Sequence, residues 1–158
     1  MNPRQRLARL GYRALYVTYR VASILVRPRM RGALVLVQVD DRILLVRNSY
    51  NSWFTLPGGR VDRGESFVGG AARELREETG LRVAEADLAR VLATTHHWQQ
   101  RTERIEIHAI SMTDRPPVRL DPVEIAEARW ATLDEALALD LYPPLQDYLA
   151  TTRNASDT

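Results

Sequence analysis

The sequence has 158 residues, of which 45% are hydrophobic and 27% are charged. These values are typical of one soluble globular domain with its own core. It contains no cysteine, so disulfides, thiolate catalysis and cysteine-ligated zinc are excluded. A chain without cysteine fits a reducing compartment, and we therefore expect a cytoplasmic protein.

The basic residues are all arginine and are distributed unevenly. Residues 1–31 contain eight arginines and no acidic residue, so the net charge of +2 divides into +8 for this segment and −6 for residues 32–158. The segment also has an apolar stripe with helical spacing, formed by Leu7, Leu10, Ala14, Val17, Val21 and Ile24. Because Pro28 ends the pattern, residues 1–31 are predicted to form a basic amphipathic helical extension.

No membrane-spanning helix or signal peptide is predicted in this segment. Its apolar stretch Leu15–Val26 is short, contains Arg20 and lacks a small-residue cleavage site. A basic amphipathic helix over residues 4–27 can pack on its own domain, pair in a homodimer, or contact an anionic membrane or a partner helix. Nucleic acid is a less favoured partner, because the main domain is acidic and the arginines lack interleaved base-stacking motifs.

After residue 32 the pattern becomes strand-like. The apolar runs Ala33–Val39 and Ile43–Val46 are separated by Asp40-Asp41, which predicts a hairpin of buried strands. Trp53–Leu56 is a candidate short strand. Further strands are predicted at Leu88–Thr94, Ile105–Met112 and Ala128–Trp130.

The predicted helices alternate irregularly with these strands. Phe67–Thr79 has a helical pattern, with Ser66 as the N-cap and Gly80 as the C-terminal stop. The proline-containing stretch Arg115–Val123 is predicted to be a loop. Shorter helices are expected at Leu133–Leu139 and Pro144–Leu149, followed by a flexible tail over residues 151–158. Since no regular strand-helix-strand rhythm is present, we expect an α/β sandwich with a mixed sheet.

Three glutamates are predicted to share one face of the Phe67–Thr79 helix. Glu74, Glu77 and Glu78 are spaced by three and four residues, so their like charges repel unless a cation neutralises them. All-oxygen carboxylate ligation suits Mg²⁺ or Mn²⁺, and Mg²⁺ is commonly shared with substrate phosphates. The pattern therefore indicates metal-assisted attack of water on phosphorus in a phosphate compound.

The segment from Gly59 to Leu81 reads GRVDRGESFVGGAARELREETGL. Its spacing is glycine, five residues, glutamate, seven residues, then arginine-glutamate-apolar-x-glutamate-glutamate-x-glycine-apolar. This segment resembles the signature box of the Nudix hydrolases without any departure. The lead-in Leu56-Pro57-Gly58-Gly59 and the segment Val123–Trp130 also resemble the family, so that the resemblance covers a Nudix hydrolase domain of about residues 32–150.

The resemblance implies a Nudix-like α/β/α sandwich and a Mg²⁺- or Mn²⁺-dependent pyrophosphohydrolase. Its substrate would be a nucleoside diphosphate linked to another moiety. The implied metal ligands are Glu74, Glu77, Glu78 and the carbonyl of Gly59. Arg73 would orient Glu74, and Glu65 would help to position metal or water.

The resemblance does not fix the general base. In the family it is either a box glutamate or a carboxylate on a later loop. Glu124 is our candidate for the later position, with Glu103 and Glu106 as rivals on the preceding strand.

The substrate specificity also stays open. Tyr50, Trp53, His96 and Trp98 are candidate substrate-binding residues, because aromatic rings can stack on a base. A zinc site formed by the three histidines is an alternative that we disfavour, because adjacent residues of a strand point to opposite faces. The substrates left open are nucleoside triphosphates, oxidised nucleotides, nucleotide sugars and dinucleoside polyphosphates. The alternative for the whole chain is a membrane- or partner-binding module that acts through the basic helix, with a weakly active or inactive Nudix domain.

The apolar stripe of residues 4–27 yields a prediction about the full chain. Burying an aliphatic side chain is worth about 1.5–3 kcal/mol, so we expect the stripe to be covered by protein. Removal of residues 1–29 should therefore lower the unfolding midpoint or change the oligomeric state in sedimentation. If the truncated chain is unchanged in both respects, and only the full chain sediments with anionic vesicles, the stripe binds membrane instead.

Overall fold

The computed structural model describes residues 29–98 and 101–156. The predicted helix of residues 4–27 lies outside the described residues. Within them, no helix is both long enough and apolar enough to cross a bilayer.

Within the described residues, six strands form one mixed sheet. They are β1 (Arg29–Val39), β2 (Arg42–Asn48), β3 (Gly58–Arg60), β4 (Ala89–Trp98), β5 (Arg101–Ser111) and β6 (Ile125–Thr132). The order is β4-β5-β1-β2-β6, with β3 also paired to β1. β1 runs parallel to β5, whereas the other pairs are antiparallel.

The helices cover both faces of this sheet. They are α1 (Phe67–Thr79), α2 (Leu133–Leu137) and α3 (Pro143–Ser156), and a single 3-10 turn spans Glu85–Asp87. The α1 residues Ala71 and Leu75 pack with Val35 on one face, whereas the α3 residue Leu145 packs with Leu34 on the other. The predicted α/β/α sandwich with a mixed sheet is therefore confirmed.

The continuous apolar run of β1 is explained by this layered packing. Alternate residues of the strand enter opposite cores, so Leu34 and Leu36 face one helix layer while Val35 and Val37 face the other. A strand buried on both faces has no polar face to alternate with its apolar one. The predicted hairpin with β2 is also confirmed.

The pairing between β1 and β2 extends over only two residue pairs, so the two strands separate beyond them. The opening between the strands is occupied by β3 and the loop that precedes it. β1 pairs with β2 at Gln38 and Val39, but Leu34 and Ala33 pair with Gly58 and Gly59 of β3 instead. The loop before β3 is held in the opening by a 2.8 Å bond from the Val35 N–H to the Pro57 carbonyl. The glycine pair thereby becomes part of the sheet.

Local caps fix both ends of α1, as predicted. The Ser66 hydroxyl accepts from the Gly69 N–H at 2.9 Å, and Gly80 ends the helix with a left-handed φ of 75°. The predicted loop after β5 then packs on this end, because the N–H of Arg119 donates to the Thr79 carbonyl and that of Asp121 to the Glu78 carbonyl.

The structure corrects several element boundaries. β5 begins at Arg101 and β6 spans Ile125–Thr132, so both strands are longer than predicted, whereas Trp53–Leu56 contributes only isolated bridges at Phe54 and Thr55. The expected tail is helical through Ser156.

Side-chain contacts explain the longer final helix. The Thr151 and Thr152 hydroxyls donate to carbonyls one turn earlier in the helix, and Arg153 forms a 3.1 Å ion pair with Asp134 of α2.

Two glycines with positive φ give a matched stability test. Gly58 has φ 144° and a Cβ there would lie 2.7 Å from Leu34 Cα, whereas Gly64 has φ 84° and open space around it. Gly64→Ala should cost about 1 kcal/mol of unfolding free energy through backbone strain alone. Gly58→Ala should cost about 3 kcal/mol or more, because overpacking is added to strain. Equal losses in denaturant titrations would contradict the close approach of β3 to β1.

Candidate active site

Gly59 brings the backbone of β3 against the carboxylate of Glu74. A Cβ on Gly59 would lie 2.9 Å from both Cδ and Oε2 of Glu74, a distance that side-chain carbons do not tolerate. Gly59 is paired with Ala33 in the sheet, and Glu74 lies in the middle of α1. The glycine therefore allows the helix carboxylate to lie directly on the strand.

Glu78 is a carboxylate inside the protein. Only 1% of the residue is exposed. Its Oε2 accepts from the Gly58 N–H at 2.8 Å, and its Oε1 accepts from the Asn48 amide at 3.4 Å. Burial raises the pKa of Glu78 well above its usual value, the Gly58 hydrogen bond opposes the rise, and the charges of Glu124 and Glu74 add to it.

Glu74 also has a raised pKa, but unlike Glu78 it is bonded to the cationic side chain of Arg73. Its pKa is raised, first by burial and then by the charges of Glu124 and Glu77, whereas its hydrogen bond from Arg73 lowers it. The charges of Glu74, Glu78 and Glu124 therefore act on one another, and water cannot fully solvate Glu74 and Glu78.

Arg73 connects the acidic residues around this cluster. Its Nε and Nη2 donate to the two oxygens of Glu65 at 3.0 and 3.2 Å, and its Nη1 donates to Glu74 at 2.8 Å and to Glu77 at 3.1 Å. Nη2 also donates to the Arg60 carbonyl. A guanidinium with this many acceptors is held in one orientation, so the expected contact of Arg73 with Glu74 is present.

Glu65 faces Arg73 rather than the buried cluster. Besides the arginine, its Oε2 accepts from the Asp62 N–H at 3.0 Å. The Arg73 hydrogen bond, followed by that from Asp62, lowers the pKa of Glu65. In this structure Glu65 therefore braces Arg73 and the loop before α1.

Glu124 is carried to the cluster by the loop that packs on the end of α1. The carboxylate of Asp121 accepts from the N–H groups of Val123 and Glu124 at 2.7 and 3.2 Å. The Glu124 carbonyl accepts from the Ser49 N–H at 2.7 Å. These hydrogen bonds fix the backbone of Glu124. The charge of its carboxylate raises the pKa of both Glu74 and Glu78, in addition to the larger effect of burial.

The rival acids make other contacts. Glu103 accepts a 2.7 Å hydrogen bond from the Tyr142 hydroxyl. Glu106 is buried beside Arg104, at 3.0 Å, and His108, at 3.8 Å. Their neighbours thus differ from those of Glu124.

The candidate substrate-binding residues are divided between two places. Tyr50 and Trp53 are half-buried in the loop that follows Ser49, next to the segment that anchors Glu124. His96 lies on the edge strand β4, paired in register with Glu103. The side chain of Trp98 lies outside the described residues.

The pairing of β4 with β5 disfavours the zinc alternative. His96 is opposite Glu103 and His97 is opposite Thr102, so the two histidines point to opposite faces of the sheet. His108 is at the other end of β5, where its partner is Arg90.

Sequence reasoning missed the groups that hold Glu78 and Glu124. Asn48 donates to Glu78, 30 residues later in the sequence. Asp121 accepts from the N–H of Glu124, three residues later. The position of Asn48 at the end of an apolar strand was a weak signal for a buried polar role. The Asp121-Pro122 pair was a signal for a turn.

The donors at this cluster fit a hard divalent cation. Glu74 and Glu78 supply oxygen donors of like charge, and Glu78 has no arginine partner among the described residues. No three acidic or histidine side chains of the described residues already form a coordination shell, and Arg73 holds Glu77 by a 3.1 Å hydrogen bond. A bound cation would therefore compete with Arg73 for Glu77 and would lower the repulsion between Glu74 and Glu78.

Comparisons with known proteins show the family of this chain. A family model for the NUDIX domain matches residues 28–151, and the chain belongs to the Nudix family. Over 117 residues it is 36% identical to the NAD-capped RNA hydrolase NudC of Mycobacterium tuberculosis, covering 70% of this chain and 36% of that protein. It is also 38% identical over 52 residues to the uncharacterized Nudix hydrolase YvcI of Bacillus subtilis, covering 33% of each.

The fold resembles that of solved Nudix structures. The crystal structure of a MutT protein from Methanosarcina mazei Go1 superposes with a TM-score of 0.71 at 23% identity, covering 84% of this chain and 98% of that one. The matched part of the chain spans only about a third of the length of the curated relatives named above.

The buried charge of Glu78 predicts an effect on stability in the absence of metal. Because its pKa in the folded state is well above the usual value of 4.5, its burial destabilises the protein increasingly as pH rises above that value. Glu78→Gln should therefore raise the unfolding free energy in EDTA at neutral pH by on the order of 1 kcal/mol. The difference in unfolding free energy between Glu78→Gln and the wild type should vanish near pH 4. A variant that is less stable than the wild type at neutral pH would contradict this assignment.

Proposed function

We propose that this chain hydrolyses the diphosphate of a nucleoside diphosphate linked to another moiety, with Mg²⁺ or Mn²⁺ as the metal. The observation that carries the proposal is the pair formed by the buried Glu78 and the partly buried Glu74, which adjoins the Gly58-Gly59 backbone and is subject to the charge of Glu124. A protein gains nothing in stability from three neighbouring carboxylates unless a cation binds there.

In this proposal Glu74, Glu77, Glu78 and the Gly59 carbonyl hold the metal. The metal supplies a lowered pKa for its bound water and neutralises charge on the diphosphate. Arg73 orients Glu74, and Glu65 keeps Arg73 in place through its bidentate contact. Glu77 is half-exposed at the rim, so its carboxylate can turn from Arg73 to the ion without repacking the core.

Glu124 is the proposed general base. It lies on a separate loop from the box residues, yet its charge acts on both Glu74 and Glu78. A carboxylate that the metal does not fully engage can take a proton from the attacking water. The firm hydrogen bonding of its backbone to Ser49 and to Asp121 supports a role that depends on position.

The relative named as an NAD-capped RNA hydrolase supports one substrate class. In that class the diphosphate joins two nucleosides, either in a free dinucleotide or at the 5′ end of RNA. The half-buried rings of Tyr50 and Trp53 are proposed to contact a base, with His96 and Trp98 as further candidates.

The direct test is a product-release screen. Purified chain is incubated with dinucleotides, capped RNA, nucleotide sugars, nucleoside triphosphates and oxidised nucleotides, each with Mg²⁺, Mn²⁺ or EDTA. We expect cleavage of a diphosphate in at least one class, and no cleavage in EDTA. Undiminished cleavage in EDTA, or no cleavage in any class, would refute the proposal.

Glu77→Gln and Glu78→Gln should each lower kcat by about 100-fold or more, because a lost metal ligand is worth several kcal/mol of transition-state stabilisation. The matched control is Glu85→Gln, which changes an exposed glutamate of the 3-10 turn. Circular dichroism should show all three variants folded. Wild-type activity and metal dependence in either site variant would remove that residue from the metal site.

Glu124→Gln should lower kcat by about 100-fold, the usual contribution of a general base, while metal affinity changes little. Glu103→Gln is the control, since that carboxylate binds Tyr142 instead. A large loss of metal affinity in Glu124→Gln would make the residue a ligand, and an unchanged kcat would assign it no direct role.

A further inference from the structure

A groove of about 640 Å³ lies at the C-terminal end of α1. Three arginines line it, with no acidic residue among the lining residues, which are Arg76, Gly80, Arg82, Pro117, Val118 and Arg119. Arg76 is two residues from both Glu74 and Glu78, so it points away from the buried carboxylates, to the other side of the helix. We call this feature the arginine groove.

Two arginines of the groove form no ion pair with a carboxylate of the described residues, as is also true of Arg63 and Arg115. In the described part of the chain, nine arginines form ion pairs with carboxylates, among them Arg42, Arg47 and Arg129. Arg82 and Arg119 are exposed and form no such pair with any described residue. Arg82 and Arg119 differ from Arg63 and Arg115 in that they line one groove together.

The groove is built on backbone that other contacts already fix. The N–H of Arg119 donates to the Thr79 carbonyl at 2.8 Å. A Cβ on Gly80 would lie 3.3 Å from the Cβ of Arg119, so the helix-ending glycine also lets the loop approach. The cationic residues are thus carried by a helix end and a loop that are bonded to each other.

The helix dipole does not account for this arrangement. The C-terminus of a helix favours a cation in its last turn, and Arg76 occupies that turn. The side chains of Arg82 and Arg119 donate no hydrogen bond to the terminal carbonyls of α1 in the described structure. Their guanidinium donors remain available to a ligand.

We propose that the arginine groove binds a phosphate group outside the metal site. A guanidinium presents a planar fork that matches phosphate oxygens, and two such forks without carboxylate partners lie in one groove. Its volume is in the range of small-molecule sites, so the phosphate belongs to a molecule with a further part that can contact Pro117 and Val118.

A neighbouring groove of about 520 Å³ extends this surface toward the active site. It shares Arg76 and Arg82 with the arginine groove and also includes Arg73, which contacts Glu74 and Glu77. Arg76 itself contacts Glu77 at 3.4 Å. The bound phosphate group can therefore belong to either of two molecules. It is part of the substrate, farther along from the diphosphate that is cleaved, or it is part of a separate phosphorylated molecule.

The first test measures binding and does not depend on hydrolysis. Calorimetric titrations of the full chain with inorganic phosphate and AMP are made in EDTA at constant ionic strength. Arg82→Gln and Arg119→Gln are compared with Arg63→Gln, because Arg63 is also an exposed arginine without an ion pair in the described structure but lies outside the groove. Each variant removes one charge and leaves residues 1–31 intact.

We expect the Kd of at least one of the two ligands to rise by about tenfold in both groove variants, as for loss of one charge-assisted contact, and to stay at the wild-type value in Arg63→Gln. The proposal would be overturned if both groove variants keep the wild-type affinity for both ligands and the second test also shows no change in KM. An equal loss in Arg63→Gln would overturn it by showing that binding follows bulk charge.

The second test identifies the source and rests on the proposed hydrolysis. KM is measured for a dinucleotide diphosphate and for the same diphosphate at the 5′ end of an oligonucleotide. A rise of about tenfold in KM for only the longer substrate, in Arg82→Gln and Arg119→Gln, assigns the phosphate to the substrate. Binding without that rise assigns it to a separate molecule, and neither binding nor a KM effect refutes the site.

Discussion

The burial of the Glu78 carboxylate is the constraint around which the functional part of this structure is organised. A charged group without water is costly unless it is paired, and within the described residues Glu78 accepts only from the N–H of Gly58 and, at a longer distance, from the Asn48 amide. Two more carboxylates, those of Glu74 and Glu124, add repulsion. A divalent cation bound at the cluster would offset this cost, because the same buried charges attract the ion strongly.

The glycine pair and Arg73 make this cluster geometrically possible. Gly58 and Gly59 enter the opening between β1 and β2, and the missing side chain at Gly59 leaves room for the Glu74 carboxylate. Arg73 balances part of the negative charge and fixes Glu65 and Glu74 relative to each other. The spacing of the box is therefore a consequence of packing one helix against one short strand.

Features set by neighbouring residues could be predicted from the sequence. The ends of α1 follow from Ser66 and Gly80, whose caps act within four residues. The buried hairpin follows from two apolar runs and a turn. Features set by distant contacts could not be predicted. The helix that continues through residues 151–156 includes an ion pair from Arg153 to Asp134, and the Glu124 backbone is bonded to Ser49, 75 residues earlier in the sequence.

The central claim is that a divalent cation neutralises the buried carboxylates, and its most direct measurement is the thermal midpoint during titration with Mg²⁺ or Mn²⁺. An ion that binds only the folded state raises the midpoint with concentration. We predict such a rise in the wild type and a much smaller one in Glu78→Gln, which starts from a higher midpoint in EDTA. A wild-type midpoint that does not respond to either ion, or an equal response in Glu78→Gln, would contradict the account.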